Sequence, residues 1–198
     1  IQLRAILRAS AHGTVKLMFP MITTIEELHR ARAITDVIMK DLRSEGVPFD
    51  ENIKIGLMIE VPSAVVYADI LGKYADFFSV GTNDLVQYLL AVDRISEKIA
   101  SLYNPLTLSV LRFLRQSVTS AASTSTQLSI CGEMAGEPQY TMVLLGLGFR
   151  HLSMSPVYMY QVKKIVRSVT IRECEELVAS LLGLENTDDI ENTVRKKF

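Results

Sequence analysis

Short, near-continuous apolar runs alternate along this chain with stretches of helical period, and that alternation limits the fold more than any other feature. The apolar runs fall at residues 15–21, 53–59, 76–80, 127–131 and 151–154. Helical spacing covers 2–10, the stretch carrying Leu28, Ala31, Ile34, Ile38 and Leu42, then 63–73, 107–122, 137–145, 157–168 and 170–182. Glycine or proline closes several of these, at Gly13, at Gly46 with Pro48, and at Gly146 or Gly148. A polar tail holding Asp188, Asp189, Arg195, Lys196 and Lys197 ends the chain. Strands that read apolar throughout, each followed by a helix, predict an α/β fold with a parallel sheet covered by helices.

Polar residues cluster just past successive strands: Glu60, then Asn83 and Asp84, then Cys131 and Glu133, then Ser153 and Ser155. Polar groups sent to one end by four strands favour a barrel over an open sheet, whose site forms at a single crevice. A (β/α)8 TIM barrel takes about 250 residues. With five strands, this chain is expected to supply roughly the last five βα units of an incomplete barrel. Two parallel edges, near 15–21 and 151–154, are then left unpaired. The chain opens on Ile1 in helical pattern, so an excerpt of a longer protein is expected.

The segment 76–94 is the most informative. It runs as a strand through Phe77, Phe78 and Val80, turns at Gly81, and delivers Thr82, Asn83 and Asp84 ahead of a helix. Glu60 and Asp84 fall at equivalent points on adjacent strands, which suits shared ligation of a hard divalent cation beside a substrate phosphate. The competing explanation for Glu60 is a salt bridge to an arginine at the barrel rim. Asn83 is either a turn residue or an amide donor to phosphate or carboxylate. Arg94 either forks onto phosphate oxygens or pairs with Asp93. Cys131 is either an inert small hydrophobe or, between Ile130 and Gly132, a proton-transfer group. Cys174 sits in an amphipathic pattern and reads as structural, and His12, His29 and His151 lie in no nucleophile-like context.

Composition narrows the partners. Hydrophobic residues are 48% and charged ones 22%, which argues for a packed core. A formal net charge of -1 without a basic stripe argues against nucleic acid. No apolar run reaches the ~18–20 residues of a membrane span. Two distant cysteines fit a reduced, cytoplasmic protein better than a disulfide framework.

Several blocks together resemble one family: Gln2–Ser10, Met18 through Met21 (MFPM), Glu60-Val61-Pro62, the whole of 78–94, and Cys131 through Gly136 (CGEMAG). They resemble the C-terminal phosphoenolpyruvate-binding barrel of the phosphoenolpyruvate–protein phosphotransferases, enzyme I of the bacterial sugar phosphotransferase system. Pyruvate phosphate dikinase and phosphoenolpyruvate synthase share the Gly-Thr-Asn-Asp element; Ala91 to Arg94 and the CGEMAG block look more like enzyme I. The resemblance implies Glu60 and Asp84 as Mg2+ ligands, Asn83, Asp84 and Arg94 as phosphoenolpyruvate contacts, and Cys131 as the acid that yields pyruvate. It further implies residues 1–198 as the latter part of the barrel domain, with the first strands and the phosphohistidine domain lying elsewhere. It also implies transfer to an enzyme histidine and on to the phosphocarrier HPr in sugar transport, and a homodimer. Val61 and Met134 are conservative departures. This piece alone is expected to be inactive; a non-catalytic dimerisation or regulatory module is the other class considered.

Overall fold

The computed structural model describes residues 1–198. Four strands form one parallel sheet: β1 (Lys16–Phe19), β2 (Lys54–Ile59), β3 (Phe77–Gly81) and β4 (Gln127–Cys131). Their spatial order repeats their chain order, and each joins its neighbour through helix. The α/β class and parallel sheet are as expected, and the barrel is not closed. The fifth strand is reduced to one parallel bridge between Ile130 and Leu152, flanked by hydrogen bonds from Ile130 N to His151 O and from Ser153 N to Ile130 O. Residues 151–154 thus lie where a fifth stave belongs without forming a ladder.

The helices follow local chemistry. Helix α1 is Gln2–Ser10, and α2 is Ile25–Ser44. The Thr24 hydroxyl accepts from Glu27 N while the Glu27 carboxylate accepts from Thr24 N, a reciprocal cap that fixes the start of α2. The expected helix over 63–73 is split at Tyr67 into α3 (Pro62–Val66) and α4 (Ala68–Leu71). Helix α5 is Thr82–Leu90, and α6 is Leu108–Ser123. In place of one helix over 137–145 there are α7 (Glu133–Gly136), a 3-10 turn at Pro138–Tyr140, and α8 (Thr141–Leu147). Then come α9 (Pro156–Val166) and α10 (Ile171–Leu182). The polar tail corrects to an eleventh helix, α11 (Thr187–Lys197), which buries Ile190 and Val194 in the main core.

Register divides the sheet into two unlike faces. Leu57 pairs with Phe78 and Ile59 with Val80, which pairs with Ile130; all five are buried with Ala64, Val65, Leu111 and Leu114 of the covering helices. The alternate positions, Met58, Ser79 and Ser129, form a row of small or half-polar side chains on the other face. The strands are therefore less uniformly apolar than their sequences read. A smaller cluster of Leu7, Leu17, Leu42, Ile53 and Ile55 anchors α1 and α2 at the β1 end.

Candidate functional site

The next register position, beyond Ile59, Val80 and Ile130, carries Glu60, Gly81 and Cys131. This row lies at the strands' C-terminal ends. A Cβ on Gly81 would sit 2.8 Å from Glu60 Oε2 and 3.0 Å from Met58 Sδ. Glycine here keeps open the space into which the carboxylate reaches, a requirement the sequence reading passed over as a turn.

Glu60 is only 3% exposed. Its Oε1 accepts from the amide of Met21 at 2.9 Å, and Met21 holds a left-handed φ of 56°. No arginine, lysine or histidine pairs with it, so the rim salt bridge is not what the structure shows. Its nearest acidic neighbour is Asp84, in the first turn of α5. Burial pushes the Glu60 pKa above the usual carboxylate range, the Asp84 charge and hydrogen bond push the same way, and the Met21 amide opposes them.

Cys131 donates from Sγ to Val80 O at 3.4 Å. Burial raises its thiol pKa, the Ser79 hydroxyl pulls it down, and the Glu60 charge raises it further, so the sulfur is held as a protonated thiol. Thr82 ties β4 to α5 by donating to Cys131 O at 2.8 Å. Gly132 has φ +91°, and a Cβ there would meet Thr82 Oγ1 and the Asn83 side chain. Asn83 Oδ1 accepts from Glu133 N at 2.9 Å, leaving the amide nitrogen as the group free to donate. Tyr103 reaches Asn83 O at 3.4 Å, and burial, with Glu133 close by, pushes the phenol up to about 12. Arg94 pairs with neither Asp93 nor a carbonyl; Nη1 contacts Glu133 Oε1 at 3.3 Å. A groove of about 330 Å3 opens beside Asn83, Cys131 and Glu133, walled by Ser153, Ser155 and Tyr158.

Glu60, Asn83, Asp84 and Cys131 thus converge on one end of the sheet, with Arg94 held to them through Glu133. Sequence reasoning gave no role to Glu133 or Tyr103 and took Gly81 for a turn; only their nearness to the motif marked them.

The acid pair fits a hard divalent cation. Both donors are carboxylate oxygens, they crowd each other, and no protein cation balances them. No third histidine, cysteine or acid joins them, which matches Mg2+ in sites where waters and a substrate phosphate complete the shell.

A stability prediction arises here. Because the folded pKa of Glu60 lies above the unfolded value, the folded protein binds more protons between the two. Stability therefore falls as pH rises through that window and stays lower above it. Glu60→Gln keeps the acceptor for Met21 N and removes the charge. In metal-free buffer at pH 7 its Tm is expected about 2–4 °C above that of the parent, the shift of ~1 kcal/mol at this size. A lower Tm in a thermal melt would contradict the unpaired carboxylate.

Comparison with known proteins adds a separate line. Residues 1–171 match the family described as PEP-utilising enzyme, PEP-binding domain. The phosphoenolpyruvate-protein phosphotransferase of Haemophilus influenzae is 42% identical over 195 residues, covering 98% of this chain and 34% of that protein. The protein of the same name from Priestia megaterium is 39% identical over 197 residues, covering 100% of this chain and 34% of that protein. The chain thus spans about a third of the length of the curated relatives it matches. Among solved structures, a citrate lyase from Burkholderia xenovorans superposes with a TM-score of 0.58 at 15% identity, over 98% of this chain and 66% of that one. At that identity the likeness speaks to fold alone. No helix here is long and apolar enough to cross a membrane.

Proposed function

The chain belongs to the PEP-binding-domain family of PEP-utilising enzymes, and we propose that, within the complete protein, it binds phosphoenolpyruvate and Mg2+ for phosphoryl transfer to an enzyme histidine. The observation that carries this reading is the buried Glu60, set against Asp84 and beside Cys131 with no cation to balance either acid.

In this reading the substrate enters the groove beside Cys131. The Asn83 amide and the Arg94 guanidinium hold its phosphate, the amide fixed in direction by the bond from Glu133 N to Oδ1. Glu60 and Asp84 would hold Mg2+, which when bound would supply charge neutralisation and Lewis-acid chemistry. Transfer itself requires mainly positioning and charge balance. The bond between phosphorus and the enol oxygen breaks, a phosphorus–nitrogen bond forms on the histidine, and the electron pair stays on the enolate. The Cys131 thiol then protonates the methylene carbon to give pyruvate, and solvent restores the thiol. Passage to HPr, a cytoplasmic setting, a role in sugar transport and a homodimer complete the proposal; they follow from the likeness to enzyme I.

Two measurements test it. The complete gene product, incubated with 32P-phosphoenolpyruvate, Mg2+ and HPr, is expected to label HPr without ATP. Labelling that demands ATP or AMP would instead assign the dikinase or synthase type. Separately, Cys131→Ser is expected to slow incorporation of a solvent proton into the pyruvate methyl about 10²–10⁴-fold, the range of a general acid. Single-turnover phosphorylation of the histidine should fall far less. Equal loss in both would deny Cys131 the role of acid.

A further inference from the structure

The geometry points to Glu133 as a resident competitor for Arg94, occupying the guanidinium until a phosphate displaces it. This deepens the phosphoenolpyruvate reading and rests on it. Glu133 opens α7 immediately after Gly132 and does two separable things. Its backbone amide donates to Asn83 Oδ1 at 2.9 Å and so sets which way that side chain points. Its carboxylate, 70% exposed, takes Arg94 by a single contact, Nη1 to Oε1 at 3.3 Å. One residue therefore governs both proposed phosphate donors, one through main chain and one through side chain.

The pair is built to be exchanged. Arg94 makes no other side-chain hydrogen bond, so most of its donor fork is unused. Its side chain is 37% exposed, which leaves the guanidinium reachable from solvent, beside Glu133 on the groove wall. A long, one-point carboxylate contact in solvent is weak, whereas a phosphate dianion offers two oxygens to the fork and a larger charge. A ligand bearing a phosphate monoester should win the exchange, while a monocarboxylate such as pyruvate brings only the single charge that Glu133 already offers. The carboxylate thus parks Arg94 against the Glu133 wall of the groove between turnovers and tempers the affinity for phosphate.

Calorimetric titration with phosphoenolpyruvate of the complete Mg2+-loaded protein, its phosphate-accepting histidine replaced by alanine so that only binding is read, tests this in four forms: parent, Glu133→Gln, Arg94→Ala and the double variant. Glu133→Gln retains the amide to Asn83, so tighter binding by about twofold to fivefold is expected, the range set by an exposed ion pair. A merely structural glutamate would give weaker binding on substitution. In the Arg94→Ala background the gain is expected to vanish to within about 1.5-fold, because nothing remains to compete for. Unchanged or weaker binding by Glu133→Gln overturns the inference. So does an equal gain in both backgrounds, which would mean general charge repulsion. If Arg94→Ala binds phosphoenolpyruvate as the parent does, the assignment of Arg94 to phosphate fails, and the inference falls with it for that separate reason.

Discussion

Asp84→Asn in the complete enzyme should fold normally and transfer phosphate about 10³-fold more slowly. The residue occupies the first turn of α5, half-buried, against Glu60. Asparagine keeps the shape and the capacity to hydrogen-bond Glu60 but removes one of the two charges that a divalent cation would require. A metal acting as Lewis acid and template contributes several kcal/mol to a transition state, and ~4 kcal/mol corresponds to three decades in rate. Two readouts belong together. Rapid-quench measurement of histidine phosphorylation should show the loss, and the Mg2+-induced rise in Tm expected of the parent should be absent. Adding Glu60→Gln should produce little further loss, since two ligands of one ion act as a unit. A variant that keeps a tenth of parental activity and still responds to Mg2+ would remove the acid pair from the mechanism.

Gly146→Ala is expected to damage the fold and leave the site's chemistry alone. Gly146 lies in α8, and a Cβ there would collide with the backbone carbonyl of Cys174 in α10, with Val178 Cγ2 at 2.7 Å behind it. Helix backbone cannot yield as a flexible side chain can, so α10 must shift and its packing of Leu177, Val178 and Leu181 must loosen. Overpacking of this kind reaches about 3 kcal/mol, which lowers Tm by roughly 6–12 °C at this size. Gly183 provides the control. Its φ is -87°, and the nearest atom to a Cβ is 3.5 Å away, so Gly183→Ala should leave Tm unchanged or slightly raised. Equal melting of the two variants would show that α8 and α10 are not locked through Gly146.

The sheet and most helices were legible because their signals are local: apolar runs for β1 to β4, and for α2 a threonine with glutamate three residues on. The convergence of Glu60, Asn83, Asp84 and Cys131 was legible because polar residues at the ends of successive parallel strands must meet at one edge. Three features were not. Helix α11 was hidden by its charge, since only Ile190 and Val194 turn inward and the two carry little pattern. The break at Tyr67 has no glycine or proline to announce it. The tie of Glu133 to both Asn83 and Arg94 spans 50 and 39 positions and depends on how loops dock, which no short window encodes.

Strand order that copies chain order has a kinetic meaning as well. Every pairing in this sheet joins consecutive strands through one crossover. No partner has to wait for a segment made much later. Each new unit of chain can therefore dock on its predecessor as synthesis proceeds, and the search, slow for any parallel pairing, is confined to one crossover at a time up to β4.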